Sequence, residues 1–328
     1  MKRKHLSALQ LEQKKLKDQT KIKYYKTLND KVLNCKINKV YDYDAFKLTT
    51  EILDLNPELN VAWNYRRHII SSLLSASDAT DTQPFDWQKE LVFTMAQLKK
   101  FPKVYWIWSH RTWCLRTINN VGMWEAELKL VGKMLQLDAR NYHGWAYRRY
   151  VVSQLETMTG EIRVRSEFEY TTEKINANIS NYSAWHQRAT LFPQMFSIRK
   201  QDTEAVKELI STEVMYITNG IFTDADDQSV WMYLKWFIKA PFVVEFLDEK
   251  EQYAVMLQDI TNSIITINDD EIDFNGQDNA WCLKMLIFIE NILVDELQKD
   301  IPSKKNEYLE KLCVIDPLRK NRYTSQLN

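Results

Sequence analysis

Four arginines recur at the same place in the sequence, three residues after a tryptophan. They are Arg66, Arg111, Arg148 and Arg188. Residues three apart share one face of a helix, so each guanidinium would lie beside an indole. A guanidinium at the edge of a core needs carboxylate or carbonyl partners, and it can also bind an anionic ligand. We favour the structural interpretation, in which these arginines tie neighbouring repeats together, over ligand contact by one or two of them.

Other residues that could perform chemistry form no recognisable motif. The sequence has no H-E-x-x-H, no glycine-rich phosphate loop and no nucleophile elbow. Its five histidines fit packing or surface roles, and its four cysteines lie at least 31 residues apart, which excludes a C-x-x-C pair. We therefore predict no metal site on this chain. Free cysteines fit a reducing compartment, which favours a cytoplasmic location.

Six segments align on a tryptophan and define an internal repeat. The anchors are Trp63, Trp108, Trp145, Trp185, Trp231 and Trp281. Their separations of 37 to 50 residues leave room for two helices and two turns in each unit. Leu234 and Lys284 stand in place of the arginine in the last two units. We expect those two units to dock differently.

The pattern inside each unit predicts a helical hairpin. Apolar residues of the first helix follow a spacing of three and four, as at Leu91, Met95 and Leu98. The second helix should begin near the tryptophan. N-cap residues are expected four positions before it, where a side-chain oxygen can accept a free backbone N–H. These residues are Asn141, Asn181 and Asp227.

Composition supports an all-α fold, because glycine (6) and proline (7) are scarce in the 328 residues. We predict a single repeat domain over residues 1–328. It would comprise about six hairpins behind a basic N-terminal helix at residues 1–35. A polar surface loop is expected from Ser75 to Pro84, and an acidic connector from Asp269 to Asn279.

Charge and hydropathy exclude two classes of partner. The chain has 44 basic and 44 acidic residues, so nothing overall attracts it to nucleic acid or an anionic membrane. Residues 1–23 are locally basic, with eight basic against two acidic side chains, which we interpret as a solvated helix rather than a docking segment. No stretch approaches the roughly 18 apolar residues of a membrane span, so we do not expect an integral membrane protein.

The W-x-x-R repeat, with N-Y at the start of the second helix, resembles the repeats of protein prenyltransferase α subunits. That resemblance implies hairpins arranged as a crescent-shaped α-α superhelix around a catalytic β subunit. N-Y-S-A-W-H-Q-R-A-T-L-F-P-Q (Asn181 to Gln194) and F-T-D-A-D-D-Q-S-V-W (Phe222 to Trp231) are similar to the branch that prenylates Rab GTPases. Tetratricopeptide arrays fit less well, because their period is about 34 residues with a W-x-x-L-G-x-x-Y pattern.

The resemblance also implies a reaction: transfer of geranylgeranyl from geranylgeranyl diphosphate to C-terminal cysteines of Rab GTPases, forming thioethers. A β subunit would form an obligate heterodimer with this chain and hold a zinc ion, which lowers the pKa of the acceptor thiol. An escort protein would present the Rab. This chain would then be a non-autonomous enzyme subunit with no cofactor of its own.

Site residues follow from the family's P-K-x-Y motif, here P-K-V-Y from Pro102 to Tyr105. By resemblance, Lys103 would contact the diphosphate and Tyr105 would help to shape the rim of the active site. Tyr142 and His143 match family positions that face the β subunit near the site. From the sequence alone, Lys103 is an ordinary lysine at a helix start. Val104 replaces the usual polar residue, and we expect its side chain to point elsewhere.

Two alternatives stay open at this point. The chain could be the α subunit shared by CaaX farnesyltransferase and geranylgeranyltransferase type I, in which case a short CaaX peptide would suffice as acceptor. It could also be a non-enzymatic helical-repeat adaptor, which predicts a stable monomer and no effect of replacing Lys103.

Overall fold

The computed structural model describes residues 8–79, 85–247 and 250–327, and none of these residues lies in a β-strand. The chain groups into two compact units, one ending at Gly160 and the other beginning at Glu161. Each unit is a stack of helical hairpins, which confirms the predicted all-α class. The assignment of all 328 residues to one domain stays a prediction.

The first unit has seven described helices. They are α1 (Ala8–Ile37), α2 (Tyr43–Leu55), α3 (Asn60–Ala79), α4 (Trp87–Lys100), α5 (Tyr105–Ile118), α6 (Val121–Leu137) and α7 (Tyr142–Thr159). The pairs α2–α3, α4–α5 and α6–α7 pack as antiparallel hairpins. Trp63, Trp108 and Trp145 each lie in the second helix of one of these pairs.

The second unit continues the pattern over a longer stretch. Its helices are α8 (Val164–Ala177), α9 (Tyr182–Arg199), α10 (Thr203–Thr223), α11 (Gln228–Ile238), α12 (Pro241–Phe246), α13 (Lys250–Asn275), α14 (Ala280–Asn291), α15 (Lys305–Ile315) and α16 (Lys320–Thr324). A π-helical turn, Ile292–Glu296, extends α14. Trp185, Trp231 and Trp281 lie in α9, α11 and α14.

Short polar side chains fix where the helices begin. The predicted N-caps are confirmed, since Asn141, Asn181 and Asp227 accept backbone N–H groups of Gly144, Ala184 and Ser229. These bonds satisfy donors that have no partner within the helix. The same device recurs at further helix starts, where the capping residues are Asp42, Asp86, Asn120, Asp202 and Asn279.

Five tryptophans share a hydrogen bond that closes the turn of their hairpin. Each indole Nε1–H donates to the backbone carbonyl six residues earlier, over 2.8 to 3.0 Å. The donors are Trp63, Trp108, Trp145, Trp185 and Trp231. All five are buried. The repeat therefore anchors both its core and its turn on one residue.

Several predicted boundaries differ from those observed. The predicted loop from Ser75 was wrong at its start, because α3 continues to Ala79, and residues 80–84 lie outside the described ranges. The predicted connector from Asp269 was also wrong, because α13 runs to Asn275 and carries most of those acidic residues on a solvated helix end. Helix α1 is described from Ala8 and extends to Ile37. No helix in the described part of the chain is long and apolar enough to cross a membrane.

Candidate functional site

Three of the four repeated arginines form buried bidentate pairs with glutamates. Nε and Nη2 of each arginine bond the two carboxylate oxygens over 2.6 to 2.7 Å. The pairs are Arg66–Glu90, Arg111–Glu127 and Arg188–Glu213. In each case the glutamate belongs to the first helix of the next hairpin. The prediction that the arginines tie neighbouring repeats is confirmed for these three.

The remaining donors of these arginines face the preceding helix. Nη1 of each arginine donates to the hydroxyl of a threonine 17 residues earlier. It also donates to a backbone carbonyl of the same preceding helix. The threonines are Thr49, Thr94 and Thr171. These bonds and the burial of the guanidinium groups support the structural interpretation over ligand contact for these three arginines. Arg148 is buried as well.

Each glutamate also accepts a third bond from the second helix, two residues after a tryptophan. The donor is Tyr147 for Glu127 and Tyr233 for Glu213, over 2.8 and 2.7 Å. At Glu90 the equivalent residue is His110, with 2.7 Å between Nε2 and Oε1. The buried Arg66–Glu90 pair is therefore bonded by an imidazole, where the other two pairs are bonded by a tyrosine hydroxyl.

Burial and the neighbouring side chains together set the pKa values of Glu90 and His110. Burial alone would raise the pKa of Glu90, but Arg66 and His110 outweigh it and lower that pKa to about 2. Burial lowers the pKa of His110, although Glu90 opposes the shift. Arg67 donates from Nε to Nδ1 of the same ring over 3.3 Å. His110 is accordingly held neutral, with its proton on Nε2 directed at Glu90.

His110 and Glu90 also lie close to Cys114. The potential metal-ligating atoms of these three residues are within 4.8 Å of one another. This geometry was not foreseen from the sequence. Both oxygens of Glu90 are already bonded to Arg66, whose charge would repel a cation. Burial raises the pKa of the Cys114 thiol well above its usual value, so the thiolate needed for metal binding is disfavoured. The trio fits a packed core better than a metal centre.

Lys103 lies in the turn between α4 and α5. It is exposed, and it forms no ion pair or hydrogen bond within the described residues. Val104, which follows it, is buried. The turn itself is held by the carbonyl of Pro102, which accepts from Trp108 Nε1 at 3.0 Å and from Asn141 Nδ2 at 3.3 Å. A free ammonium group is thus presented from a fixed backbone.

Tyr105, Tyr142 and His143 come together at the starts of α5 and α7. The ring of His143 is 6.3 Å from that of Tyr105 and 5.6 Å from that of Tyr142, between centroids. Tyr105 is 57% exposed and Tyr142 is 75% exposed, whereas His143 is half-buried between them. Large aromatic rings left in solvent at adjacent helix starts are typical of an interaction surface.

A cleft of about 420 Å³ continues inward from Tyr105 and His143. Its walls include two arginines that were not predicted from the sequence, Arg67 and Arg116. Arg67 donates from Nη2 to Ser109 Oγ over 3.1 Å, and burial lowers the pKa of its guanidinium. For Arg67, the sequence did contain a signal, the R-R dipeptide at Arg66 and Arg67. The residue after a buried arginine is rotated by about 100° around the helix axis, so its side chain points to another face.

A family model described as "Protein prenyltransferase alpha subunit repeat" matches residues 42–73, 87–118, 124–155 and 164–195. These four segments correspond to the hairpins from α2–α3 to α8–α9. The two later hairpins are those in which Leu234 and Lys284 replace the arginine. There Leu234 is buried, and Lys284 pairs with Asp316 at 3.0 Å.

A solved structure described as Candida albicans protein geranylgeranyltransferase-I complexed with GGPP shares the fold. It superimposes with a TM-score of 0.66 at 19% identity, over 93% of this chain and 90% of that one. At this identity the likeness bears on the fold alone.

Sequence relatives identify the branch. Geranylgeranyl transferase type-2 subunit alpha of Saccharomyces cerevisiae is 50% identical over 98% of this chain and 97% of its own length. Proteins of the same description from Candida albicans and Schizosaccharomyces pombe are 36% and 34% identical, each over 95% of this chain. Identity at this level over nearly whole chains confirms the branch suggested by the motifs. The chain belongs to the geranylgeranyl transferase type-2 alpha subunits, and is thus one subunit of a prenyltransferase.

Proposed function

We propose that this chain and a zinc-containing β subunit transfer geranylgeranyl groups to C-terminal cysteines of Rab GTPases, and that Lys103 contacts the diphosphate of the donor. Tyr105, Tyr142 and His143 form the α-subunit side of the rim around that site. The observation that carries this proposal is the unpaired Lys103, two residues before Tyr105, together with the ring cluster of exposed Tyr105 and Tyr142 and half-buried His143 at the starts of α5 and α7.

The chemistry explains why such a lysine is useful. A bond forms between the acceptor sulfur and C1 of the prenyl group while the bond between C1 and the diphosphate oxygen breaks. Negative charge grows on the departing diphosphate as that bond lengthens. A preorganised ammonium group stabilises this charge more in the transition state than in the ground state, and so increases the rate. An exposed lysine with no carboxylate partner keeps its charge available for this purpose.

The rim residues suit a different task. Tyr105 and Tyr142 present flat apolar surface with a hydroxyl at the outer end, a combination enriched at protein interfaces. His143 lies between them and can donate or accept a hydrogen bond. Together they would cover one side of the prenyl chain and the acceptor peptide and keep bulk water from the diphosphate.

The partners of this reaction follow from the proposed function. The β subunit would supply zinc, which makes the acceptor thiolate available near neutral pH, and most of the phosphate-binding residues. An escort protein would present the Rab GTPase. Cys35, Cys114, Cys282 and Cys313 are all free thiols, which is consistent with action in the reducing cytoplasm.

The test is a transfer assay on the purified αβ heterodimer with Lys103→Ala. We expect the turnover number to fall about 10- to 100-fold with unchanged thermal stability, because one of several cations at a site of developing charge is removed. Lys103→Arg should recover part of the rate. Lys100→Ala is the matched control, since Lys100 is exposed and lies near Asp54 instead, at 3.6 Å. Wild-type turnover in Lys103→Ala would contradict the assignment.

A further inference from the structure

A second cleft lies in the first unit, between α4 and α6, the first helices of two consecutive hairpins. Its volume is about 570 Å³. Leu98 and Pro102 belong to its apolar lining, together with half-buried Met95, Leu130 and Met134. Leu137 stands at one end and is 92% exposed. An open apolar groove of this kind on a helical surface is typical of sites that bind a partner helix.

The rim of this groove is positively charged. Lys99, Lys129 and Lys133 line it, all three are exposed, and none forms an ion pair within the described residues. Lys129 and Lys133 are one helical turn apart, an arrangement in which like charges destabilise an isolated helix. The only carboxylate in the lining is Asp138. The groove therefore has an unbalanced positive rim around an apolar floor.

Its dimensions limit what can occupy it. The lining of α6 runs from Ala126 to Leu137, about 17 Å along a helix at 1.5 Å per residue. That length suits roughly three turns of a partner helix. A planar membrane surface would touch Leu137 and the lysine tips but would leave the floor at Leu98 empty.

We propose that this groove docks an acidic amphipathic helix of a partner polypeptide, with the apolar stripe of that helix on the floor and its carboxylates opposite Lys99, Lys129 and Lys133. The groove ends at Pro102 and Asn141, which directly precede Lys103 and Tyr142. A helix bound here would lie next to the turn that carries Lys103. The inference rests on the groove alone and stands whether or not Lys103 acts in transfer.

The experiment measures binding of fluorescein-labelled synthetic peptides to the αβ heterodimer by fluorescence anisotropy. The probes are a small panel of 14-residue helices with leucine or methionine at positions i, i+3, i+4 and i+7 and with glutamates in different registers beside that stripe. A lysine-for-glutamate panel serves as the charge control. We expect at least one acidic helix to bind and its lysine counterpart to bind at least 10-fold more weakly.

Variants locate the binding site. Lys129→Glu combined with Lys133→Glu should weaken the acidic helix at least 10-fold. The matched control is Lys17→Glu with Lys21→Glu, which makes the same charge change at the same spacing on the exposed face of α1 and should alter binding less than twofold. Leu137→Ser should weaken binding without changing its dependence on salt, because it removes apolar contact and no charge.

Two results of the peptide assay would overturn the proposal. One is failure of every acidic helix to bind at about 1 mM. The other is an equal loss of binding in the groove variants and in the α1 control. Two further arms test other occupants. Binding to vesicles of anionic phospholipid that depends on Lys129 and Lys133 would assign the groove to a membrane. Self-association in sedimentation that is abolished by the same variants would assign it to a second copy of this chain.

Discussion

The indole Nε1–H of Trp108 donates to the carbonyl oxygen of Pro102 over 3.0 Å, and so ties a core residue of α5 to the turn that carries Lys103. The same repeat feature that folds each hairpin thereby positions the proposed diphosphate contact. Asn141, the N-cap of α7, reaches the same carbonyl from the next hairpin. The turn is consequently fixed from two sides before any partner binds.

Replacing Trp108 by phenylalanine should separate the fold from the function of this bond. Loss of one buried hydrogen bond costs about 1 kcal/mol of unfolding free energy. Transfer should also slow severalfold, because the turn holding Lys103 loses its main restraint. Chemical unfolding and turnover measured on the same preparation check both effects.

Trp185→Phe is the control for that variant. Trp185 makes the equivalent bond to the carbonyl of Ile179, over 2.8 Å, in the second unit. It should lose a similar amount of stability and retain the wild-type rate once the protein is folded. Equal slowing in both variants would show that the bond contributes to activity only through general stability.

Tyr142→Ala tests the proposed rim. Tyr142 is largely exposed, so its truncation should leave the unfolding free energy within about 0.5 kcal/mol of wild type. We expect the KM for the acceptor or prenyl donor to rise severalfold. The control is Tyr182→Ala, at the first position of α9, where the exposed fraction is similar at 58%. Identical kinetics for both variants and wild type would remove Tyr142 from the site.

Arg111→Met tests how much a buried arginine–glutamate pair contributes to stability. It leaves Glu127 buried with Tyr147 as its remaining side-chain partner. Breaking one side of a buried ion pair costs about 3–5 kcal/mol, which urea unfolding would report directly. Adding Glu127→Leu should recover much of the loss, since no unpaired charge remains. Arg116→Met, at an exposed position on the same helix, should change stability little, and a loss equal to that of Arg111→Met would contradict the argument.

His110 should make stability depend on pH. Burial lowers its folded-state pKa below the usual 6.5, against the opposing effect of Glu90, so folding favours the neutral ring. The resulting stabilisation is complete above about pH 6.5 and is lost as pH falls through the folded-state pKa. Glu90 does not interfere in this window, because its pKa is about 2. Thermal unfolding between pH 7.5 and 5 measures the effect.

Two variants remove this titrating group. His110→Tyr installs the residue found at the equivalent positions of Tyr147 and Tyr233, and His110→Gln installs the one found at Gln187. Either should flatten the fall in melting temperature toward pH 5 relative to wild type. An unchanged pH profile in both would show that another group causes the dependence.

The tryptophan register was readable from the sequence because it repeats, and Asn141 and Asn181 were readable because capping acts locally. The partners of the arginines were not. Glu90 and Glu213 lie 24 and 25 residues from Arg66 and Arg188 and look like ordinary solvated glutamates until neighbouring hairpins stack. Pairing across hairpins depends on packing, which a local pattern does not encode.

The candidate site was less predictable from local sequence patterns than the tryptophan repeat. Lys103, Tyr105, Tyr142 and His143 were proposed from resemblance, and their functional roles stay predictions. No local pattern indicated that the ring of His143 lies beside that of Tyr105, since that depends on how α5 and α7 stack. The ends of α3 and α13 were misjudged because polar residues such as Ser75 and Asp269 continue a helix when one face of it remains solvated.

The most direct test of the central claim is a paired transfer assay with labelled geranylgeranyl diphosphate and the αβ heterodimer. One reaction offers a Rab GTPase with and without its escort protein, and the other offers a short CaaX peptide. Label on the Rab only when the escort is present, with none on the peptide, is the predicted result. Efficient labelling of the peptide alone would contradict the account and assign the chain to the CaaX branch.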